Sequence, residues 1–232
     1  MIDFHSHILP GIDDGASNID EAISMLEYSK KQGVDIIVAT PHYYTETSID
    51  KFLEKRKNSY KALIEECNNR KLDIPRIILG AEVYLTNDLF DAGDIEKLCF
   101  NGTKTILVEM PYSYWHNIYY DKIYYMYSKY KLKPVMAHLD RYLLADKKSV
   151  DIEKLLGMEV SVQINADTIV YDKKLAKKIL RENIIDVLGS DTHDMDVRIS
   201  NIKEAETYIC SKFGEEFVSG IVEKSKALLN ID

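Results

Sequence analysis

An α/β fold, with a parallel sheet covered by helices, is predicted by three features of this 232-residue chain. Short apolar, β-branched runs alternate with longer charged stretches of helical period, which is the βαβα pattern of parallel strands. Hydrophobic residues make up 46% of the chain, enough for a sizeable core, and the length suits one α/β barrel or two small domains. The third feature is positional: each apolar run is followed by a side chain that can bind a metal or a polar substrate.

The runs fall at 2–4, 35–39, 76–80, 105–108, 134–137, 160–164 and 185–188, giving seven candidate strands. Between them lie helical stretches at 19–32, 48–70, 117–131, 150–156, 173–182 and 199–229, with a short one near 87–98 and a break expected at Gly214. Ser17-Asn18 before IDEAISML, and Ser149 followed by Glu153, are helix-start signals. No Gly/Ser or Pro-rich linker divides the chain. The segment 112–130 holds eight of the sixteen tyrosines. Its stripe at Tyr120, Tyr124 and Tyr127 reads as an amphipathic helix laying rings on a barrel, with a recognition surface as the sharper alternative.

Charge and cysteine usage exclude several classes. With 38 acidic against 30 basic side chains the formal charge is −8, which does not suit neutralisation of nucleic-acid phosphates. Cys67, Cys99 and Cys210 are odd in number and form no C-x-x-C, so neither a disulfide framework nor a zinc ribbon is expected. The opening MIDFHSHILPGIDD has no basic start and no apolar h-region, and there is no 18-residue apolar run. A cytoplasmic protein without membrane insertion is the expectation. Lysine pairs at 30–31, 147–148 and 177–178 read as solvated charge.

The polar groups after the strands are, in order, His5 and His7, His42, Glu82, Glu109, His138, Asn165, and Asp191 with His193. In a parallel barrel all strand carboxyl ends lie on one face, so these residues converge there. Residues i and i+2 of a strand share a face, which lets His5 and His7 aim inward while Ile2 and Phe4 pack outward against helices. Five histidines with three or four carboxylates exceed the needs of one ion, so two or three divalent ions are expected. Imidazole and carboxylate ligands suit zinc, manganese or iron, and such a cluster activates water against a phosphoester. Only six of the 30 cations are arginine, yet Arg141 and Arg198 lie just beyond the fifth and seventh strand ends, where their forks can take phosphate oxygens. His116, the remaining histidine, reads as a surface or packing residue. No C-x5-R motif exists: the sixth residue after each cysteine is Asp73, Thr105 or Glu216, which closes the cysteine-nucleophile route.

Together the motifs IDFHSHILPGIDDG at 2–15, ATPH at 39–42, GAE at 80–82, VEMP at 108–111, AHLDRY at 137–142 and GSDTHD at 189–194 resemble the PHP (polymerase and histidinol phosphatase) superfamily. Within it the chain is similar to the metal-dependent protein-tyrosine phosphatases of Gram-positive capsule and exopolysaccharide loci. The resemblance implies a distorted TIM-like (β/α)7 barrel of PHP type, residues 1–232 forming one phosphatase domain. It also implies three metal ions, manganese foremost, with iron or zinc as alternatives. His5, His7, Glu82 and Asp191 would hold the first ion, and Glu82, Glu109 and His138 the second. The third would take His42, His193 and one of the Asp13-Asp14 pair, assigned to Asp14. Arg141 and Arg198 match the phosphate-binding arginines, and Asp140 stands where relatives often have glutamate. The implied reaction is phosphotyrosine hydrolysis by metal-activated hydroxide, on a bacterial tyrosine autokinase controlling capsule synthesis. A PHP-type histidinol phosphatase or other small phosphoester hydrolase is the alternative. An amidohydrolase would want a bridging lysine where Glu109 stands, a TatD-like nuclease sits poorly with the charge, and a non-catalytic metal-binding partner would not keep every ligand. Three divalent ions would bring the charge from −8 to −2 and gather positive potential at one mouth.

Overall fold

The structure, a computed structural model, describes residues 1–112, 114–143 and 150–232. The helix-start signal at Ser149 and the 147–148 lysine pair lie outside them. The strands are β1 (Ile2–Ser6), β2 (Ile36–Ala39), β3 (His42–Tyr43), β4 (Arg76–Leu79), β5 (Glu82–Tyr84), β6 (Thr105–Glu109), β7 (Lys133–Met136), β8 (Ser161–Asn165) and β9 (Val187–Gly189). The helices are α1 (Ile19–Lys31), α2 (Ile49–Asn69), α3 (Asn117–Ser128), α4 (Ile152–Leu156), α5 (Ala166–Tyr171), α6 (Lys173–Arg181), α7 (Ile202–Phe213) and α8 (Glu215–Leu229).

All pairings are parallel, in the orders β1-β2-β4 and β3-β5-β6-β7-β8-β9. The ladder returns from the last strand to the first through the Ser6–Thr192 bridge, with the His7 amide donating to the Thr192 carbonyl at 2.9 Å. The result is a mixed α/β fold with a curled parallel sheet. The expected strands at 35–39 and 76–80 are β2 and β4, and each is followed by a short strand the sequence did not suggest, β3 after Thr40-Pro41 and β5 after Gly80-Ala81. The turn between β4 and β5 needs a glycine, because a side chain at Gly80 would collide with the Phe100 ring.

The apolar side chains divide by strand face. Ile37, Ala39, Ile106, Val108, Ile164 and Leu188 belong to the larger core, together with Met25 and Leu26 of α1 and Leu63 of α2. Ile2, Phe4, Val38, Leu107, Val135 and Val187 form a second cluster, plugged by Phe100, Leu228 and Leu229. Ile2 and Phe4 therefore do not pack outward against the flanking helices as the alternation suggested. The register explains why: Asp3 faces Ile37 but Ser6 faces Ala39, so β1 carries one extra residue between them. That bulge resets the alternation, and His5 and His7 are delivered to the same side as Phe4.

Other departures also have local causes. The short helix expected near 87–98 is two 3₁₀ turns, Leu89–Asp91 and Ile95–Leu98, separated by Gly93 at φ +124°. The segment ADTIVY, assigned to no element from the sequence, forms α5, with the Thr168 hydroxyl bonded to Asp140. As expected, the last helical stretch breaks at Gly214, at φ +89°. Asn18 caps α1 by accepting from the Glu21 amide at 3.0 Å, while Ser17 bonds back to the Glu21 carboxylate. Of the tyrosine stripe on α3, Tyr120 is buried and Tyr127 half-buried, but Tyr124 is 54% exposed; Ile123 takes the inner position. His116 is exposed at the start of α3, its ring 4.7 Å from Tyr114.

Candidate metal centre

The strand ends bring together all nine residues read as ligands, and every one except Asp14 and His42 is buried. His5 and His7 approach with their Nε2 atoms 3.1 Å apart. Glu82, at the start of β5, lies among four histidines. Its Oε2 is 3.2 Å from His5, 3.3 Å from His7 and 3.0 Å from His42, and its Oε1 is 2.9 Å from His138. Glu109 sits 3.4 Å from the same His138 nitrogen. Asp191 places Oδ1 at 3.5 and 3.6 Å from His5 and His7. Asp14 places Oδ1 at 3.3 Å from His42 and 3.4 Å from His193.

Three groups of potential ligand atoms lie within 4.8 Å of one another: His5, His7 and Glu82; His42, Glu82 and Glu109; and His7, Asp14, His42 and His193. The partition differs in detail from that implied by the resemblance. His42 joins the middle group, His7 joins the outer one, and His138 reaches both carboxylates of the middle group from the side.

The donor chemistry fits cations. Glu82 Oε2, His42 Nδ1 and His193 Nε2 are buried and make no hydrogen bond, although each lies within 3.0–3.4 Å of a polar neighbour. Each of the three residues also belongs to a group whose potential ligand atoms lie within 4.8 Å of one another, a spacing that suits donors sharing an ion. Burying unpaired polar atoms otherwise carries a penalty. Titration behaviour agrees. Burial alone would push His7 down, but hydrogen bonds and charge from Asp13 and Glu82 lift it to about 10; His138 rises to about 9 through Glu109 and Glu82, also against burial. Burial pushes Glu82 up, yet the charge of His5 and the close approach of the His138, His42 and His5 imidazoles hold it well below the usual carboxylate range. So tightly gathered a set of anions demands positive charge, supplied by imidazolium in the bare chain and available from divalent ions instead.

A second layer orients these groups. Asp13 and Asp14, interchangeable in sequence, are separated by the fold. Asp14 is 64% exposed and faces His42 and His193, whereas Asp13 accepts from the His7 ring Nδ1 at 2.7 Å and from the amides of His42 and Gly15 at 3.0 Å. A carboxylate on the far nitrogen fixes the imidazole tautomer and directs Nε2 inward. Gly15 is required here, since a Cβ would lie 2.1 Å from the His7 carbonyl oxygen. Gln163, absent from the sequence-derived set, accepts from the His138 amide at 2.6 Å, contacts His5 Nδ1 at 3.1 Å and donates to Asn165 at 2.8 Å. Only the alternation of Gln163 and Asn165 on one face of β8 would have signalled it.

Arg141 and Arg198 converge on Asp191 Oδ2, the latter at 2.9 Å, and Asn165 donates to the same atom at 3.1 Å. Two non-glycine residues at the site have left-handed backbone: His138 at φ +33° and Asp191 at φ +54°. The first starts the 3₁₀ turn Leu139–Arg141 that carries Arg141 to the mouth, and strain of this kind gathers at functional sites. Asp140 holds that turn by accepting from the Asn165 amide at 2.9 Å and the Thr168 hydroxyl at 2.6 Å.

The two buried thiols are unsuited to nucleophilic chemistry. Cys67 and Cys99 are buried free thiols, and burial pushes Cys67 up and Cys99 to about 12, opposite to what a thiolate nucleophile needs.

The tyrosine-protein phosphatase CpsB of Streptococcus agalactiae serotype V is 29% identical over 252 residues, covering 99% of this chain and 98% of the relative. A crystal structure from the pair YwqE of Bacillus subtilis and CpsB of Streptococcus pneumoniae, metal-dependent tyrosine phosphatases, matches with TM-score 0.81 and 26% identity. It covers 99% of this chain and 94% of that one. A TatD-like protein of Archaeoglobus fulgidus, at 12% identity and TM-score 0.52 over the full length of both chains, shares the fold alone. Residues 1–230 match the model of the CpsB/CapC capsular polysaccharide synthesis family, and this chain, with histidines and carboxylates gathered on its strand ends, belongs to that family.

Proposed function

We propose that this chain is a metal-dependent protein-tyrosine phosphatase. In this reading residues 1–232 form a single PHP-type (β/α)7 domain that dephosphorylates a bacterial tyrosine autokinase controlling capsule synthesis. The observation that carries the reading is the placement of two arginines beside buried, unpartnered imidazole and carboxylate atoms at one mouth. The family and its phosphatase relatives support the substrate. The absence, among the described residues, of any helix long and apolar enough to cross a membrane, together with the free thiols, fits action in the cytoplasm.

The roles follow from position. His5, His7, Glu82 and Asp191 would hold one cation, Glu82, Glu109 and His138 a second, and His42, His193 and Asp14 a third, with Glu82 shared. Manganese is the first choice, iron and zinc the alternatives. Two or three such ions supply Lewis acidity, water activated near neutral pH and neutralisation of the phosphoryl charge. The chain's own groups do the rest. Asp13 keeps His7 in the tautomer whose Nε2 faces inward. Asp191 and Asn165 hold Arg141 and Arg198 side by side, and each guanidinium retains N–H donors for the non-bridging phosphoryl oxygens. In-line displacement then releases a phenolate, whose conjugate acid has a pKa near 10, so the residue protonating it need not be a strong acid.

Manganese-loaded protein should release phosphate from a phosphotyrosyl peptide, lose that activity in chelator and resist vanadate better than a cysteine phosphatase. Equal or faster turnover of histidinol phosphate on the same sample would overturn the assignment.

A further inference from the structure

Beside the metal centre runs a groove of about 510 Å³, a typical ligand-pocket size. Its inner end is His42, Asp13 and Asp14; its walls are Tyr43, Tyr44 and Phe52; along its outer side stand Lys51 and Lys55 of α2. The groove is thus continuous with the place where the phosphoryl group is expected, and it is larger than a phosphate requires.

Its charge pattern is selective. Both acids on its wall face the centre, Asp13 toward His7 and Asp14 toward His42 and His193. Both lysines are exposed, and among the described residues neither pairs with a carboxylate. Lys55 Nζ donates to the Ile12 carbonyl at 2.7 Å, which pins this cation against the loop carrying Asp13 and Asp14. Lys51 lies one helical turn before it, on the same face of α2. Two cations four residues apart thus line one wall of a channel leading away from the site. The Tyr44 ring, 5.5 Å from His42 and 5.6 Å from Tyr84, forms the step between channel and centre.

We propose that this groove is a subsite for acidic side chains flanking the phosphotyrosine, with Lys51 and Lys55 as its recognition elements. The proposal rests on the phosphatase reading and adds the substrate class. An overall acidic protein selects an acidic peptide through a local basic wall, while lysine-flanked peptides meet like charge.

The test compares two phosphotyrosyl peptides of equal length, one with glutamates and one with lysines on both sides of the phosphotyrosine. Both are assayed on the same manganese-loaded samples of wild type, Lys51→Glu and Lys51→Glu/Lys55→Glu. The ratio of the two kcat/KM values does not depend on how much protein is folded or loaded. Wild type should favour the glutamate peptide by about tenfold, the scale of two exposed ion pairs, carried by KM and reduced by salt. Lys51→Glu, which keeps the Lys55–Ile12 bond, should remove most of the preference, and the double variant should invert it. An unchanged ratio in both variants, or no preference in wild type while both peptides are turned over, overturns the subsite and leaves the phosphatase reading standing. If wild type hydrolyses neither peptide, the phosphatase reading itself falls and takes this proposal with it.

Discussion

The same parallel strands are finished with opposite chemistry at their two ends. Toward the amino ends, Ile2, Phe4, Val38, Leu107, Val135 and Val187 meet under Phe100, Leu228 and Leu229 in an apolar plug. Toward the carboxyl ends, His5, His7, Glu82, His138, Asp191 and His193 are equally buried but charged or polar. Burial at the plug stabilises the fold by removing apolar area from water. Burial at the other end costs free energy until the charges are paired. The sheet is thus held together at one end and made reactive at the other, and the bulge in β1 is the joint, since it lets Phe4 and His5 serve the two ends from adjacent positions.

The largest effect should come from the residue the polar end shares most widely. Glu82→Gln keeps the volume but removes the anion that lies within 3.3 Å of four histidines. Bound metal per chain should fall, and phosphate release should drop more than about a thousandfold, beyond the roughly 10–100-fold of an outer-sphere partner. The circular dichroism spectrum should persist. Metal content and rate close to wild type would show that the polar end does not depend on this carboxylate.

At the plug the signs reverse. Phe4 is fully buried, its ring 5.2 Å from Phe100. Phe4→Ala should cost about 3–5 kcal/mol, and lower the melting temperature by roughly 10 °C for a chain of this size. Metal bound per folded molecule should stay as in wild type. Loss of metal in step with stability would mean that the bulge couples the two ends instead of separating them.

Legibility in the sequence follows the same division. The strands were readable because a buried parallel strand is an apolar run, and the polar end because histidines and acids recur where those runs stop. The bulge was not readable, because an extra residue in β1 becomes apparent only when β2 fixes the register; the alternation rule then gave the wrong face for Ile2 and Phe4. Asp13 and Asp14 were indistinguishable as neighbours in a loop, and were separated only by Gly15 folding beneath His7. Gln163 carried no signal of its own, since a neutral amide in a strand gains meaning only from the His138 amide and His5 ring it meets.

Asp3 sits where the two ends meet, and it sharpens the comparison by the smallest of the expected effects. Its carboxyl is fully buried, Oδ1 accepting from the amides of Ser190 at 2.8 Å and His5 at 3.3 Å while Oδ2 has no partner. Burial lifts its pKa to about 6, against the opposing hydrogen bonds from Ser190 and His5. A carboxyl whose pKa is higher folded than unfolded stabilises the fold fully below the unfolded value, near 4, and that contribution is lost as pH rises through about 6. At neutral pH the charged form therefore works against folding. A shift of about two pKa units corresponds to roughly 3 kcal/mol. Asp3→Asn would recover only about 1 kcal/mol of it, because the amide leaves a buried donor in place of the unpartnered oxygen. Measured in chelator, so that metal binding does not contribute, the variant should melt higher than wild type at pH 7.5. As pH falls from 6 toward 4 the difference should shrink to zero and change sign, the variant ending about 2 kcal/mol less stable than wild type once the Asp3 carboxyl is protonated. A difference independent of pH would mean that Asp3 is already compensated, and that the cost of burying charge is confined to the metal end.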